Sequence, residues 1–174
     1  DEVYMDWNQK GTKITGEGAN EKFGVNICLN SDGTILAAKG YLDTNIENYS
    51  INRKNYVKVY RWNNINSDWV QLGETLYGRS GIDLRDTYYE FNNTGTGLSI
   101  SNSGTTISIG SYLTDSGLVE TYRWDGDYWI QIGRTLVGNA SNDNFGWSLS
   151  LKGDSNILAI GSPNGISGSN WEVE

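Results

Sequence analysis

Apolar and polar residues alternate along several short stretches of this chain, and turns rich in Gly, Asn, Asp and Ser separate them. The alternation of Ile27 with Leu29, and of Leu98 with Ile100, predicts strands with one buried face. Three stretches of this kind are residues 25–30, 96–101 and 147–152. A tight turn follows each of them, and Asp32-Gly33 in the first is a typical hairpin signal.

Two further segments follow each turn. The first is a nearly unbroken apolar run, at 35–38, 106–109 and 157–160, which is typical of a strand covered on both faces. The second lies at 56–60, 118–122 and 171–173, and its interleaved polar residues predict a position further from the core. With the segment described next, each unit contains four predicted strands.

The motif Trp-x-Gln-x-Gly occurs three times, beginning at Trp7, Trp69 and Trp129. The copies lie 62 and then 60 residues apart, so the chain is a single repeat domain over 1–174, with repeats at about 7–68, 69–128 and 129–174. We expect an all-β fold in which each repeat is a four-stranded antiparallel sheet. Sheets that cannot bury both faces alone stack on one another, as the blades of a β-propeller do.

The composition agrees with an all-β fold and disfavours several classes of partner and activity. The 174 residues include 22 glycines and one proline, and the net charge of −8 disfavours nucleic acid and anionic membrane surfaces as partners. No apolar run is long enough to predict membrane insertion. Histidine is absent, which removes the usual general base and most zinc sites, so we predict a protein without catalytic activity. The single cysteine, Cys28, is predicted to be a small buried strand residue in register with Ser99 and Ser150.

Two pairs, Phe23-Gly24 and Phe145-Gly146, each lead into a predicted strand, and the second is followed by Leu-Ala-Ile-Gly-Ser-Pro at 158–163. These features resemble the FG-GAP repeat of integrin-type β-propellers and their relatives that carry Trp-x-Gln-x-Gly. The resemblance covers nearly the whole chain, although the middle repeat has Thr94-Gly95 in place of Phe-Gly.

The resemblance implies that the strand after Phe-Gly lies next to a central axis and that the Trp-x-Gln-x-Gly strand is outermost. Three blades result if the N-terminal strand completes the last blade. Because three blades do not close a ring, either the chain is a piece of a longer array or a second copy completes the ring with six blades. Open ends would expose unpaired strand edges.

Calcium is the cofactor that the resemblance suggests, through a loop with several aspartates between the first two strands of a blade. The corresponding turns here carry at most one carboxylate each, so we predict no metal site and no cofactor.

Two predicted loops are longer than their counterparts, at 41–55 and 78–95, and both fall on one face of the predicted propeller. Long loops on a rigid scaffold often carry recognition. The candidate binding residues there are Tyr41, Asp43, Asn45, Tyr49, Arg53, Arg85, Asp86, Tyr88 and Tyr89. Possible N-glycosylation sites on the same face are Asn48, Asn92 and Asn139, although a chain so rich in Asn, Ser and Thr contains such triplets by chance.

The main hypothesis is a non-catalytic structural or binding β-propeller segment of an extracellular or surface-exposed protein. It would act in adhesion or assembly, with a protein partner or a second copy, through the loop face and the strand edges. The alternative is a carbohydrate-binding propeller whose tryptophans stack on sugar rings, with Trp62, Trp69, Trp124 and Trp129 as the candidates. Buried indoles would favour a structural role. A glycosidase that uses two of the 21 acidic residues is the third possibility.

Overall fold

The computed structural model describes residues 6–16, 18, 21–44, 52–77, 97–111, 116–140 and 143–164. These residues form an all-β structure of antiparallel sheets without a helix. The strands are β1 Asn26–Leu29, β2 Ile35–Thr44, β3 Asn52–Asn63, β4 Asp68–Gln71, β5 Leu76–Tyr77, β6 Leu98–Ile100, β7 Thr106–Ser111, β8 Leu118–Trp124, β9 Trp129–Val137, β10 Ser148–Leu151 and β11 Leu158–Gly161.

Successive strands are neighbours in each sheet. The first sheet has the order β1-β2-β3-β4, and β5 also pairs with β3. The second sheet has the order β6-β7-β8-β9, and the third contains β10 and β11. The all-β prediction is therefore confirmed for the described part of the chain. The predicted strand before each tight turn pairs with the predicted apolar strand after it, in all three repeats.

The turn between β1 and β2 forms as the sequence predicts. Gly33 has a φ of +66°, which a glycine adopts without steric cost. The side chain of Asn30 accepts hydrogen bonds from the backbone N–H groups of Thr34 and Ile35, and Asp32 also accepts one from Thr34. The hydroxyl of Thr34 also donates to Asp32, and this bond is the largest cause that holds the pKa of Asp32 below its usual value, followed by the bond from the Thr34 backbone.

The main apolar core lies between the first and second sheets. Buried residues of the first sheet, including Ala37 and Val59, pack against Leu98 and Ile107 of the second. Strand β1 contacts β6, and β10 contacts both β6 and β7, so the first strand of each sheet contacts the neighbouring sheet. Burial of apolar surface between sheets is the dominant stabilising contribution in such a structure.

Cys28 lies opposite Ala37 in the pairing of β1 with β2, in the position that Ser99 and Ser150 take in the other sheets. Its side chain is half-buried against the core. Burial raises the pKa of the thiol to about 12, and a hydrogen bond with the backbone of Ala37 opposes this only in part. The predicted register is confirmed, and the thiol is a weak nucleophile at neutral pH.

The prediction that Ile27 and Leu29 form a buried face of β1 is wrong. Ile27 is 62% exposed and Leu29 is 55% exposed, whereas their counterparts Leu98 and Ile100 are buried. The first sheet covers Leu98 and Ile100, but no described residue covers Ile27 and Leu29 to the same extent. The alternation of apolar and polar residues shows which face of a strand is apolar, but it does not show whether another sheet covers that face.

Four other expectations also change. The first Trp-x-Gln-x-Gly copy is predicted to be a strand, but residues 6–16 form none, and their backbone groups at Thr12 and Lys10 bond to side chains of the first sheet. Lys58 and Glu120, expected further out, are buried in the third strands of their sheets. Ile157 was expected to be covered and is 56% exposed. The segment 41–55 begins and ends as an extension of the β2–β3 hairpin rather than as a loop.

Candidate functional site: the joints between neighbouring sheets

Two tryptophan pairs stand at equivalent places in the first two sheets. Trp62 faces Trp69 across the β3–β4 hairpin, with ring centroids 5.4 Å apart at an interplanar angle of 72°. Trp124 faces Trp129 across the β8–β9 hairpin, also at 5.4 Å and at an angle of 55°. Tilted and edge-on arrangements of this kind are favourable for aromatic rings.

The tryptophans of the second and third Trp-x-Gln-x-Gly copies each bond to the preceding copy of the motif. The indole Nε1–H of Trp69 donates to the backbone carbonyl of Lys10, at 3.0 Å, and that of Trp129 donates to the carbonyl of Leu72, also at 3.0 Å. Lys10 and Leu72 occupy the same position, directly before the motif glycine. The tryptophan of one repeat therefore binds the motif of the repeat before it. We call each such contact a joint: Trp69 forms the first joint and Trp129 the second.

The motif glycine makes room for the tryptophan pair. A Cβ added to Gly11 would lie 2.9 Å from the Trp62 ring and 3.1 Å from the Trp69 ring. A Cβ added to Gly73 would lie 2.5 Å from the Trp124 ring and 3.0 Å from the Trp129 ring. Both glycines also have positive φ, at +76° and +75°. Glycine is therefore required for close approach and for backbone conformation.

The motif glutamine stabilises the bend at the glycine. The side-chain amide of Gln9 donates to the carbonyl of Gly11 at 2.8 Å, and that of Gln71 donates to the carbonyl of Gly73 at 3.0 Å. In the third copy the amide of Gln131 donates instead to the hydroxyl of Thr135 at 3.1 Å. All three fixed residues of the motif thus have a structural role: one binds across the joint, one holds the bend and one admits the neighbouring rings.

The residues that flank the motif strengthen the first joint. The carboxylate of Asp68, just before Trp69, accepts hydrogen bonds from the backbone N–H of Thr12 at 2.8 Å and from its hydroxyl at 2.8 and 3.1 Å. The bond from the Thr12 backbone is the largest cause that lowers the pKa of Asp68. Lys10 Nζ lies 4.5 Å from the Trp62 ring centroid and 5.6 Å from that of Trp69, a cation–π arrangement. These residues were not predicted from the sequence, although they lie within the motif or directly next to it.

The hairpin turns form a second set of joints. The backbone N–H of Ser31 donates to the carbonyl of Asn102 at 3.2 Å, and the N–H of Asn102 donates to the carbonyl of Gly153 at 3.0 Å. These residues are equivalent positions of the three sheets, counted from the strand before each turn. One hydrogen-bond pattern thus repeats from the first sheet to the second and from the second to the third.

Close contacts of backbone and a buried lysine complete the interfaces between sheets. The ammonium of Lys39, in β2, donates to the carbonyl of Gly110 in β7. Burial lowers the pKa of Lys39 to about 8. Gly110 also lies directly against the backbone of Gly146, where a side chain would clash. This contact gives the glycine of Phe145-Gly146 a packing role.

Most of the predicted binding face lies outside the described residues. This holds for Asn45, Tyr49, Arg85, Asp86, Tyr88 and Tyr89, and for the possible glycosylation sites Asn48 and Asn92. Asp43 and Arg53 are opposite each other in the β2–β3 pairing, with side chains that are not described. Tyr41 is 3% exposed, so its ring lies within the sheet packing, and Asn139 is exposed.

The four candidate sugar-stacking tryptophans are brought together in pairs, but at the joints. Trp129 is 4% exposed, and the other three are half-buried. A shallow open depression borders the first pair, and its lining residues are Arg61, Trp62, Asn63, Asn64, Ile65, Val70, Gln71 and Leu72. Within the described ranges, no three Cys, Asp or Glu side chains lie together in a way that could hold a metal ion. No helix of sufficient length and apolar character to cross a membrane occurs in that part of the chain.

Comparisons of the chain with protein-family models, with curated proteins and with solved structures found no match.

Proposed function

We propose that this chain is a non-catalytic structural segment of β-propeller type that acts in assembly or adhesion, in an extracellular or surface-exposed protein. The four-stranded sheets would be blades, and the motif tryptophans would fix each blade to the one before it. The observation that carries the proposal is the repeated joint, in which Trp69 and Trp129 donate to equivalent carbonyls of the preceding motif. A side chain used in this way serves stacking of repeats rather than catalysis.

The exposed surfaces support assembly. Ile27 and Leu29 form an exposed apolar patch on β1, and Ile157 is exposed beside β11. Between the first and second sheets the equivalent surfaces are covered by the neighbouring sheet. Exposed apolar faces at both ends of a stack favour association with a further sheet.

The proposal is tested by the mass of the purified chain in solution, measured by light scattering over a wide range of protein concentration. We expect the mass to rise above the 19.3 kDa of one chain as concentration increases. Sodium chloride is varied in parallel, because an association through apolar faces persists at high salt. A folded chain that stays at 19.3 kDa at every concentration and salt would overturn the assembly proposal.

Carbohydrate binding is the second candidate, and the depression beside Trp62 is the observation that favours it. A sugar ring stacked on the exposed part of Trp62 would change its fluorescence. Titration with a panel of oligosaccharides tests this, and the matched control is the Trp62→Phe variant. An unchanged spectrum with every sugar would leave the structural role alone.

A further inference from the structure

The third copy of the motif presents an open counterpart of the two filled joints. Gly133 has a φ of +69°, as Gly11 and Gly73 have +76° and +75°. A Cβ on Gly11 or Gly73 would meet a tryptophan pair, whereas no described residue comes within 4 Å of the Cβ position of Gly133. The backbone is therefore bent as in the filled joints, and the place of the indoles is open.

At the other end of the chain a motif tryptophan lies free. Trp7 is 95% exposed, in contrast to Trp129 at 4%. By equivalence with Trp69 and Trp129, its indole N–H would donate to a backbone carbonyl directly before a motif glycine. At the open joint that carbonyl belongs to Ile132.

The turns between the first two strands of the sheets show a second complementary pair of positions. Ile35 of the first sheet packs against Gly104 in the turn of the second, where a Cβ would lie 2.6 Å from the Ile35 side chain. Gly33 is the equivalent of Gly104 in the first sheet, and no described residue comes within 4 Å of its Cβ position. Ile157 is the equivalent of Ile35 in the third sheet, and it is 56% exposed. The exposed Ile157 of the third sheet is therefore complementary to the open Gly33 of the first sheet.

Charges at the two ends are also complementary. In the filled first joint, Asp68 precedes Trp69 and accepts hydrogen bonds from Thr12, the residue after Gly11. The equivalent positions at the open joint are Asp6, before Trp7, and Arg134, after Gly133. Both side chains are exposed. An aspartate would therefore meet an arginine in the place where Asp68 meets Thr12.

From these four matches we propose that a second copy of this chain docks head to tail, with its Trp7 segment, residues 6–11, on Gly133 of the first copy. Ile157 of the first copy then packs on Gly33 of the second. The exposed Ile27 and Leu29 of the second copy are covered by the third sheet of the first, as Leu98 and Ile100 are covered by the first sheet within one copy. A second copy is the occupant because it supplies the tryptophan, the aspartate and the open glycine in the required order.

The interface joins two different surfaces, and it forms twice if the rotation between copies closes the ring. Six sheets in one ring then result, a number within the usual range for propellers. The inference rests on the proposed role in assembly and names the partner and the surface.

Cross-linking between two different variants tests the head-to-tail arrangement. In a Cys28→Ser background, proteins carrying either Asp6→Cys or Arg134→Cys are mixed and treated with a short thiol-specific cross-linker. We expect a species of twice the 19.3 kDa chain mass in the mixture and much less of it with either variant alone. Equal cross-linking of each variant with itself would overturn the head-to-tail geometry.

Charge reversal provides a second test on the same pair. Asp6→Arg and Arg134→Asp, each alone, place like charges at the interface and should weaken association about fivefold in sedimentation experiments, while the double variant recovers it. Asp127→Arg is the control, since Asp127 is an exposed carboxylate in the turn between β8 and β9 and is not one of the residues of the proposed contact. Association that is equally strong in the wild type, Asp6→Arg and Arg134→Asp would overturn the proposed contact.

The outcomes separate this inference from the proposed function. Association that occurs without the mixed cross-link, or that survives Trp7→Ala unchanged, overturns the head-to-tail contact and leaves assembly through another surface standing. A chain that remains a folded monomer at every concentration overturns both. Ile65→Ala serves as the control for Trp7→Ala, because Ile65 is 93% exposed and lies on a hairpin turn away from the proposed contact.

Discussion

The indole of Trp129 packs against the bend at Gly73 and, through its N–H, binds the carbonyl of Leu72. A side chain with a large apolar ring and one polar edge is suited to this position, because it fills the joint and leaves no buried donor without an acceptor. Trp7 has the same sequence context and is almost fully exposed. The two residues therefore form a matched pair for measuring the energy of one joint.

Trp129→Phe should lower the free energy of unfolding by about 2 kcal/mol, since it removes the hydrogen bond to Leu72 and leaves a cavity. Trp7→Phe should change it by less than about 0.5 kcal/mol in the monomer, because the side chain is exposed. Urea unfolding measures both. Equal effects of the two substitutions would show that the contact of Trp129 with Leu72 and Gly73 does not stabilise the fold.

The buried side chain of Lys39 places a titratable group between two sheets. Its pKa is lowered to about 8 in the folded chain, and unfolding returns it towards 10.5. Between these pH values the unfolded chain binds more protons than the folded chain, so the free energy of unfolding rises with pH. Below pH 8 the ammonium is charged in both states, and its burial opposes folding.

Lys39→Met should remove this dependence on pH. The difference in unfolding free energy, wild type minus variant, should rise by up to about 3 kcal/mol between pH 8 and 10.5. Denaturant unfolding at a series of pH values measures it, with Lys13→Met as the control because Lys13 is exposed. A constant difference across the range would show that Lys39 does not titrate as a buried group.

Residue patterns predicted some of these features and not others. The hairpin at Asp32-Gly33 follows from local turn chemistry, so the sequence was sufficient. The exposure of Ile27 and the burial of Lys39 depend on which sheet lies opposite, and nothing within their own strands specifies this. The motif around Trp129 was recognised as a repeat, but its role became clear only with the carbonyl that its indole binds.

Among the elements, each of the first two sheets is a series of hairpins whose last strand carries the motif. The second copy is divided into β4 and β5 by the bend at Gly73, whereas the third forms the continuous strand β9. Gly73 and Gly133 nevertheless have nearly the same φ, +75° and +69°. They differ in what lies opposite: a tryptophan pair faces Gly73, and the space beside Gly133 is open.

This contrast separates backbone strain from packing. Gly133→Ala should cost about 1–2 kcal/mol, the penalty for a side chain at positive φ. Gly73→Ala should cost more by a further 1–3 kcal/mol or so, because its Cβ also overlaps the Trp124 ring. Thermal and urea unfolding of the two variants compare them directly. Equal costs would mean that the rings at Gly73 move aside freely.

At the scale of the whole molecule, one set of contacts passes from sheet to sheet in a constant direction. One series of contacts runs through the motif tryptophans, and the other runs through Ser31, Asn102 and Gly153. Sequence alone predicted strands, repeats and their order along the chain. It did not specify how the sheets meet, since that depends on residues about 60 positions apart.

Hydrogen exchange of the indole N–H groups, followed by NMR on the monomeric chain at low concentration, tests most directly whether the motif tryptophans hold neighbouring sheets together. We expect the N–H of Trp129 to exchange slowly, since it is buried and bonded to Leu72, and that of Trp69 to be protected by Lys10. The N–H of Trp7 should exchange at the rate of a free indole. Exchange at Trp129 as rapid as at Trp7 would contradict the account.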